Sequence, residues 1–234
     1  DRIVVTVPRA AQARVSALVQ RLAVLPNEIV LLLDEDDGAL DRIADLPLKH
    51  MAGHRSSAMR VAAKRAQDLV VGTIALVLLA PVMLLTALAV KLDSPGPVFF
   101  RQRRHGFHNE EILVWKFRSM RREAADASAA RQVAADDDRV TRVGRIIRRT
   151  SLDELPQLFN VLKGEMSLVG PRPHAIGMKT GDIESAALVA YYAHRHRMKP
   201  GMTGWAAIHG SRGPVDTPEL VRERVRLDVE YIER

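Results

Sequence analysis

Two adjacent carboxylates, Asp153 and Glu154, lie in a setting of arginines that could recruit them for chemistry. The basic run that precedes them contains four arginines: Arg142, Arg145, Arg148 and Arg149. The stiff loop Gly170-Pro171-Arg172-Pro173 follows them and carries one more guanidinium. Because guanidinium groups bind phosphate oxygens in a two-pronged geometry, this frame predicts a site where carboxylates react and arginines hold a phosphorylated substrate.

The same residues also permit a purely structural interpretation. Ser151 lies three positions before Glu154 and ahead of an apolar run, which is the sequence of a capping box. Acidic side chains in a first helical turn also suit the helix dipole. A helix starting near Asp153 and stopping at Gly164 is predicted by four apolar residues at helical spacing: Leu155, Leu158, Phe159 and Leu162. Both interpretations stay open at this point.

Composition favours an anionic partner. The 234 residues carry a net charge of +7, and 47% of them are hydrophobic, enough for one or two domains with a sizeable core. Phosphates, anionic headgroups and nucleic acid all fit this charge. An aromatic content of 4% disfavours base-stacking surfaces, and the absence of cysteine excludes disulfides and thiolate metal sites. With no initiator Met and an end inside a charged helix, the sequence resembles a piece of a longer protein.

The first fifty residues predict part of an α/β domain. Ile3 to Val7 and Glu28 to Leu33 read as strands, and Arg9 to Leu25 between them has helical periodicity. Strand, helix and strand in this order predict a parallel pair. No glycine-rich dinucleotide fingerprint is present. Residues 46–57 read as a connector.

An apolar segment, Leu69 to Val90, has no charge over about 22 residues and meets the length criterion for a membrane helix. Pro81 at its centre predicts a break, since an interior proline removes a hydrogen bond. The two halves would be roughly 18 and 14 Å long, too short to cross a core of about 30 Å alone. Basic residues flank both ends, among them Arg60, Lys64, Arg65, Lys91, Arg101, Arg103 and Arg104. By the positive-inside rule we expect a re-entrant helix with both flanks cytoplasmic, and an ordinary kinked spanning helix is the alternative.

Short elements are predicted on either side of the carboxylates. Val98 to Phe100 and Ile112 to Trp115 read as strands around a basic loop at Arg101 to Arg104. The cluster Lys116 to Met120, with Lys116 and Arg118, predicts either binding of headgroups or a diphosphate, or an ordinary solvated face. Residues 121–135 predict an exposed helix or loop, and Asp136-Asp137-Asp138 a solvated turn rather than a metal site.

Further along, Ser185 to Arg197 and Val221 to Arg234 read as helices. Between them, Lys199 to Trp205 is rich in turn residues. Its aromatic ring could stack on a base or a sugar, although Trp205 fits a core position equally well.

Residues from about 60 to 234 closely resemble the bacterial sugar transferase family, the monotopic polyprenyl-phosphate hexose-1-phosphate transferases. The matching blocks are Lys64-Arg65-x-x-Asp68, the apolar segment with its proline, Ser94-Pro95-Gly96-Pro97, Lys116-Phe117-Arg118-Ser119-Met120, Arg139 to Gly144, Ser151 to Gln157, Gly170 to Pro173, and Pro200-Gly201-x-Thr203-Gly204-Trp205. The resemblance implies a mixed, helix-rich α/β fold in three parts. A partial Rossmann-like piece spans 1–58, a basic flank with a re-entrant helix spans 59–92, and a catalytic domain spans 93–234.

The resemblance also implies the chemistry and the site. Asp153 would attack the sugar-bearing phosphorus of a UDP-sugar, and undecaprenyl phosphate would then take the sugar phosphate from Asp153, initiating exopolysaccharide or O-antigen synthesis. Glu154 would hold Mg²⁺, the expected cofactor. The residues expected to bind phosphate are Arg148, Arg172, Lys116 and Arg118. Those expected to bind nucleotide or sugar are Gln157, Lys199, Gly201, Thr203 and Trp205.

The donor is the least specified part of the resemblance. UDP-glucose is the expected donor, and UDP-galactose or an N-acetylhexosamine donor is the alternative. Besides the two substrates, the expected partners are membrane lipids and a second copy of the chain, with the catalytic domain on the cytoplasmic face of the bacterial inner membrane. A non-enzymatic membrane scaffold with basic patches is a competing hypothesis. A nucleic-acid binder is a third hypothesis, which the apolar segment fits poorly.

Overall fold

The computed structural model describes the chain in separate stretches. These are the backbone of three strands within the first 52 residues, and residues 58–121, 137–189 and 191–233. Strand β1 (Arg2–Val7) pairs in parallel with β2 (Glu28–Leu33) in continuous register. Both predicted strands and their parallel pairing are confirmed. The helix predicted between them lies outside the described residues.

A third strand, β3 (Lys49–Ala52), pairs antiparallel with β2. The prediction of a plain connector over residues 46–57 is therefore wrong in this stretch. The strand lacks the apolar alternation that would reveal it, and β2 supplies the backbone partners that hold it.

The apolar segment lies within one long helix, α1 (Ala58–Asp93), of 36 residues. Within the described part of the chain, it is the one helix long and apolar enough to cross a membrane. Buried positions recur along it at helical spacing, from Asp68 and Gly72 to Met83 and Val90. The opposite face exposes large apolar side chains, each more than half accessible: Val77, Leu78, Leu84, Leu85 and Leu88.

The predicted break of this helix at Pro81 is wrong, because α1 continues through the proline. A proline lacks one N–H and so removes only one bond from the ladder, while the turns on either side keep theirs. The helix also packs against the folded domain on both sides of the proline, through Leu76 before it and Met83 after it. This packing offsets the missing hydrogen bond.

Strands β4 (Phe99–His105) and β5 (Glu111–Phe117) form an antiparallel hairpin, with Phe99 opposite Phe117 and His105 opposite Glu111. Both strand predictions are confirmed. The basic loop predicted at Arg101–Arg104 is wrong, since these residues lie inside β4. Strand alternation brings Gln102, Arg104 and Lys116 to the same face of the hairpin.

The carboxylate pair lies between two short helices. Helix α2 (Arg142–Thr150) is capped by Thr141, whose hydroxyl accepts a hydrogen bond from the Gly144 N–H at 2.9 Å. Ser151 then adopts a left-handed conformation, with φ of 59°, and turns the chain into a 3₁₀ helix at Leu152–Glu154. Helix α3 (Gln157–Lys163) follows and ends at Gly164, with φ of 89°.

The predicted helix end at Gly164 is confirmed, but its predicted start at Asp153 is wrong. Pro156 precedes the first residue of α3 and has no N–H to continue the ladder from the 3₁₀ helix. The two carboxylates therefore lie on a separate 3₁₀ turn.

The remaining elements are short, except for the last helix. Strand β6 (Ser167–Val169) pairs in parallel with β9 (Gly201–Thr203), and β7 (Lys179–Thr180) forms a hairpin with β8 (Ile183–Glu184). Helices α4 (Trp205–Ile208) and α5 (Pro218–Glu233) complete the chain. The predicted helix at Val221 to Arg234 is confirmed in α5.

Two other predictions in this region are wrong. The helix expected over Ser185 to Arg197 is two 3₁₀ helices, Ser185–Leu188 and Tyr192–Arg197, because Val189 between them is extended and packs with Val215 and Val221. The turn-rich loop expected at Lys199 to Trp205 contains β9 and the start of α4.

Glycines fix the loop that carries Arg172. A Cβ at Gly201 would lie 2.1 Å from the Gly170 nitrogen, and one at Gly204 would lie 2.2 Å from the Gly170 oxygen. Only glycine permits this approach of two backbones. The close contact sets the position from which Gly170-Pro171-Arg172-Pro173 leaves β6.

Candidate active site

Glu154 is held by two cations from distant parts of the chain. Its Oε1 accepts a hydrogen bond of 2.8 Å from Lys116 Nζ, at the end of β5. The Arg172 guanidinium donates two hydrogen bonds to the same carboxylate, at 2.5 and 3.2 Å. The three residues form a buried ion cluster that joins β5, the 3₁₀ helix and the Gly-Pro-Arg-Pro loop.

The cluster keeps Glu154 ionised. Burial by itself would raise the pKa of the Glu154 carboxyl, but the charges and hydrogen bonds of Lys116 and Arg172 outweigh it and hold that pKa well below its usual range. Burial also lowers the pKa of the Lys116 ammonium, although Glu154 opposes this shift.

The carboxylate of Asp153 differs from that of Glu154 in its hydrogen bonding. Its side chain is 7% exposed, and no described residue donates a hydrogen bond to its carboxylate. Burial raises the pKa of the Asp153 carboxyl, with the positive charge of Lys116 opposing this and the negative charge of Glu154 adding to it. A desolvated carboxylate without a partner is poised to react or to bind a cation.

This geometry excludes the capping-box interpretation. Ser151 makes no side-chain cap to the 3₁₀ helix, and its hydroxyl accepts a hydrogen bond from the Arg212 guanidinium instead. Glu154 is directed to Lys116 and Arg172 and not back to the Ser151 backbone. The carboxylates are therefore arranged for another purpose than helix capping.

Asp153 and Glu154 line a cleft of about 410 Å³. Among its described lining residues, eight are lysine or arginine and two are acidic. Three of the predicted phosphate ligands, Lys116, Arg148 and Arg172, are among them. The cleft therefore suits a ligand with several negative charges.

Arg118 also lines the cleft, and its guanidinium donates hydrogen bonds to backbone carbonyl oxygens. It donates hydrogen bonds to the Ser94 and Pro95 carbonyl oxygens, at 2.8 and 2.6 Å, and a longer one of 3.4 Å to the Val90 carbonyl. These hydrogen bonds direct the terminal nitrogens of Arg118 to carbonyl oxygens at the end of α1 and in the turn that follows, and its role as a phosphate ligand stays a prediction.

None of the residues predicted to bind nucleotide or sugar lines the cleft: Gln157, Lys199, Gly201, Thr203 and Trp205. Gln157 is buried at the start of α3, and Gly201 is closed off by the contact of its backbone with Gly170. Gly201 and Thr203 lie in β9, which supports the Arg172 loop, and Gln157 lies in α3.

Several residues of the cleft were not predicted. Arg104 donates a hydrogen bond of 2.6 Å to the Pro173 carbonyl oxygen, and burial lowers its pKa to about 10. Arg212 and Arg224 line the same cleft from the C-terminal part of the chain. The alternation of β4 could have singled out Arg104, since it places Arg104 and Lys116 on one face.

A buried ion pair lies behind the Arg172 loop. Arg195 and Asp228 are each 1% exposed in their side chains, and a guanidinium nitrogen lies 2.5 Å from Asp228 Oδ2. The same nitrogen donates a hydrogen bond of 2.7 Å to the Arg172 carbonyl oxygen. Helix α5 thereby fixes the backbone of the residue that holds Glu154.

Few groups in the described residues could hold a metal. No cluster of three or more His, Asp or Glu side chains there is arranged for one. The free carboxylate of Asp153, together with Glu154, does fit an ion that brings most of its ligands with it. Mg²⁺ has this character, because it is commonly held by one or two carboxylates plus substrate phosphates.

The Arg195–Asp228 pair yields a prediction about stability. Asp228→Asn leaves the Arg195 charge buried without a counter-ion, so we expect a loss of about 3–5 kcal/mol in the free energy of unfolding. Denaturant unfolding in detergent measures it. The matched control is Glu223→Gln, which breaks an exposed pair with Arg226 and should cost less than about 1 kcal/mol. Equal losses in the two variants would contradict the role given to the buried pair.

Comparison with known proteins is consistent with this geometry. The profile of the family described as bacterial sugar transferase matches residues 59–234. A protein of Komagataeibacter xylinus named undecaprenyl-phosphate glucose phosphotransferase is 56% identical over 169 residues, which cover 72% of this chain and 32% of that protein. The UDP-glucose:undecaprenyl-phosphate glucose-1-phosphate transferase of Escherichia coli K12 is 45% identical over 225 residues, covering 94% of this chain and 48% of that protein.

A third relative is similar in length to the matched part. The exopolysaccharide production protein PSS of Rhizobium leguminosarum bv. phaseoli is 51% identical over 174 residues, which cover 74% of this chain and 87% of that protein. The chain thus spans a third to a half of the first two relatives and most of the third. The family match covers well over half of the chain and includes every residue of the ion cluster, so the chain belongs to the bacterial sugar transferase family.

Proposed function

We propose that the chain transfers hexose-1-phosphate from a UDP-sugar to undecaprenyl phosphate and so initiates exopolysaccharide synthesis. The observation that carries this proposal is the unpartnered carboxylate of Asp153, beside a clamped Glu154, in a cleft lined by cations. The names of the relatives favour UDP-glucose as the donor.

In the first step, an Asp153 carboxylate oxygen attacks the sugar-bearing phosphorus of the donor. The bond from this phosphorus to the oxygen that bridges the two phosphates breaks, and UMP leaves with the electron pair. In the second step, a phosphate oxygen of undecaprenyl phosphate attacks the same phosphorus. The bond to Asp153 breaks, which restores the carboxylate and leaves a lipid diphosphate sugar.

The cations of the cleft offset the charges that meet in this reaction. Arg148 and Arg172 line the cleft and would hold the phosphates in this proposal, Arg172 from within its pair with Glu154, and Lys116 lowers the cost of keeping two neighbouring carboxylates ionised. Mg²⁺ would be held by Glu154 together with the diphosphate of the donor. When bound, it neutralises charge on the diphosphate oxygens.

The arrangement of α1 supports a monotopic anchor. Asp68, before the apolar segment, accepts a hydrogen bond of 3.1 Å from the Leu168 N–H, and Val90, at its end, packs in a cluster with Phe117 and Ile147. Both ends of the segment therefore contact the same folded domain. A spanning helix would carry one end across about 30 Å of hydrocarbon, away from that domain.

We infer that α1 enters one leaflet and keeps both flanks on the cytoplasmic face of the inner membrane. Because α1 has no break at Pro81, it cannot turn back inside the leaflet. Both flanks stay on one side when the helix lies along the domain, with the face of Leu78 and Leu84 in the lipid. The parallel strands β1 and β2 belong in this proposal to a Rossmann-like piece that precedes the membrane part.

The test of the reaction is release of UMP from UDP-glucose, measured on membranes that contain the chain and undecaprenyl phosphate. We expect release that requires the lipid for turnover, and a loss of more than about a thousandfold in Asp153→Asn, because an amide is not a nucleophile for phosphorus. The matched control is Asp182→Asn in the exposed turn between β7 and β8, which should react like the wild type.

The outcomes separate the hypotheses. Release from UDP-galactose or a UDP-N-acetylhexosamine alone would keep the mechanism and change the donor. Release of UMP by Asp153→Asn at the wild-type rate would remove Asp153 as the nucleophile. A complete absence of release with every donor would support the membrane scaffold instead.

The ion cluster predicts a shift in pH dependence. Asp153 must be deprotonated to attack, and Lys116 lowers its pKa, so Lys116→Met should raise this pKa. The acid limb of the pH profile for exchange between UMP and UDP-glucose should then move to higher pH. Lys163→Met, at an exposed position over the Trp115 ring, should leave the profile in place. A profile unchanged in Lys116→Met would contradict the electrostatic role of this lysine.

The membrane topology is tested with single cysteines, since the chain has none of its own. Arg60→Cys before the apolar segment and Arg103→Cys after it should both react with an impermeant maleimide in inverted vesicles and be protected in spheroplasts. Reaction of the two positions from opposite sides of the membrane would establish a spanning helix and overturn the monotopic proposal.

A further inference from the structure

A second cavity, of about 740 Å³, lies beneath α1 and has a different character from the cleft. Most of its described lining is apolar: Val71, Ala75, Leu79, Leu155, Leu158, Leu168, Val169 and Met202. Its volume is within the range of about 300–1,000 Å³ found for sites of small molecules. The apolar part of this open pocket is suited to a hydrocarbon ligand.

The apolar cavity and the polar cleft share a wall. Ser151 and Glu154 line both of them, and Asp153, which lies between these two residues in the chain, faces the cleft. A ligand with a hydrocarbon chain and a phosphate head can therefore place its chain in the cavity and its head beside Asp153.

The cavity is also next to the lipid-facing surface. Helix α1 supplies Val71, Ala75 and Leu79 to the cavity, while Leu84 and Leu88 on the other face of the same helix are 71% and 56% exposed. An apolar ligand can pass from the membrane along this helix without crossing water, which avoids the cost of hydrating its chain.

Three of the polar groups at the margin of the cavity, those of Lys64, Asp68 and Tyr231, are already paired. Lys64 Nζ donates a hydrogen bond of 2.6 Å to Asp68 Oδ1, which also accepts from the Leu168 N–H. The hydroxyl of Tyr231 is directed to the Val169 carbonyl oxygen, at 3.5 Å. Recognition in the cavity itself therefore rests on its apolar lining.

We propose that this cavity binds the isoprene units nearest to the phosphate of the lipid acceptor, whose phosphate reaches Asp153 past Ser151 and Glu154. The inference rests on the proposed function and adds where the acceptor lies. The donor uses the polar cleft, and the acceptor approaches the same carboxylate from the membrane side.

The test fills the cavity and follows the two half-reactions separately. Ala75→Phe projects a ring into the cavity from α1. It should lower kcat/KM for undecaprenyl phosphate by at least about tenfold, because apolar pockets discriminate by this much for small changes in volume. Exchange between UMP and UDP-glucose without acceptor should stay within about twofold of the wild type, since the donor does not enter the cavity.

The matched control is Leu84→Phe, which places the same ring on the opposite, exposed face of α1. It should leave both half-reactions unchanged. Prenyl phosphates of one to four isoprene units provide a second readout: kcat/KM should rise with each unit in the wild-type protein and stay flat in Ala75→Phe.

A photolabel tests the proposal on the wild-type protein, independently of whether the variant folds. A short prenyl phosphate with a diazirine on its second isoprene unit should label Val71, Ala75 or Met202, and undecaprenyl phosphate should compete while phosphatidylglycerol should not. Labelling confined to Leu84 and Leu88, or equal competition by any diacyl lipid, would overturn the proposal. The proposal would also be overturned if Ala75→Phe kept both the exchange reaction and the wild-type kcat/KM for the acceptor. If the wild-type protein itself showed no exchange between UMP and UDP-glucose, the proposed function would be wrong instead.

Discussion

The buried ion cluster of Lys116, Glu154 and Arg172 is the constraint on which the rest of the site depends. Two adjacent carboxylates repel each other, and burial disfavours both of their charges. The two cations bind both oxygens of Glu154 and leave Asp153 without a hydrogen bond from the described residues. One carboxylate is thereby held in place, and the other keeps its oxygens available. The difference arises from the partners and not from the residue types, because both side chains are acids on the same 3₁₀ turn.

Keeping this cluster together requires the Gly-Pro-Arg-Pro loop to stay in place. Two arginines bind its backbone from different sides: Arg104 holds the Pro173 carbonyl and Arg195 holds the Arg172 carbonyl. The backbone of Gly170 is in turn packed against Gly201. Asp228 neutralises Arg195, so the last helix contributes to a carboxylate site that it does not touch. Stability and function are coupled here, since the groups that orient Arg172 are also among the most deeply buried charges of the domain.

The sequence predicted the elements that depend on local pattern and missed those that depend on distant contacts. The apolar run, the paired strands β1 and β2 and the stop at Gly164 follow from composition and spacing, and the structure agrees with them. The carboxylates and three of their cations were also predicted. By contrast, Arg118 has the sequence context of a phosphate ligand, yet it binds carbonyls at the end of α1, 24 residues away in the case of Ser94. Lys199 to Trp205 likewise reads as a binding loop, although β6 makes part of it a strand. Tertiary packing determines which hydrogen-bond acceptors lie close to a guanidinium group, and the local sequence pattern does not predict them.

The position of helix α1 relates the polar cleft to the apolar cavity. Moving a hydrocarbon chain from an apolar environment into water is unfavourable, and so is moving a charged diphosphate from water into an apolar environment. Neither substrate can therefore use the other's route to Asp153. In the proposed arrangement, a domain that lies along its own membrane helix meets both demands, because the nucleotide would enter the polar cleft from water and the lipid would enter the cavity under α1 from the membrane. Glu154 lies on the boundary with both oxygens bound by cations, so its charge stays compensated on the apolar side. A covalent intermediate on Asp153 suits this boundary, because the nucleotide can leave toward water before the lipid phosphate arrives from the membrane.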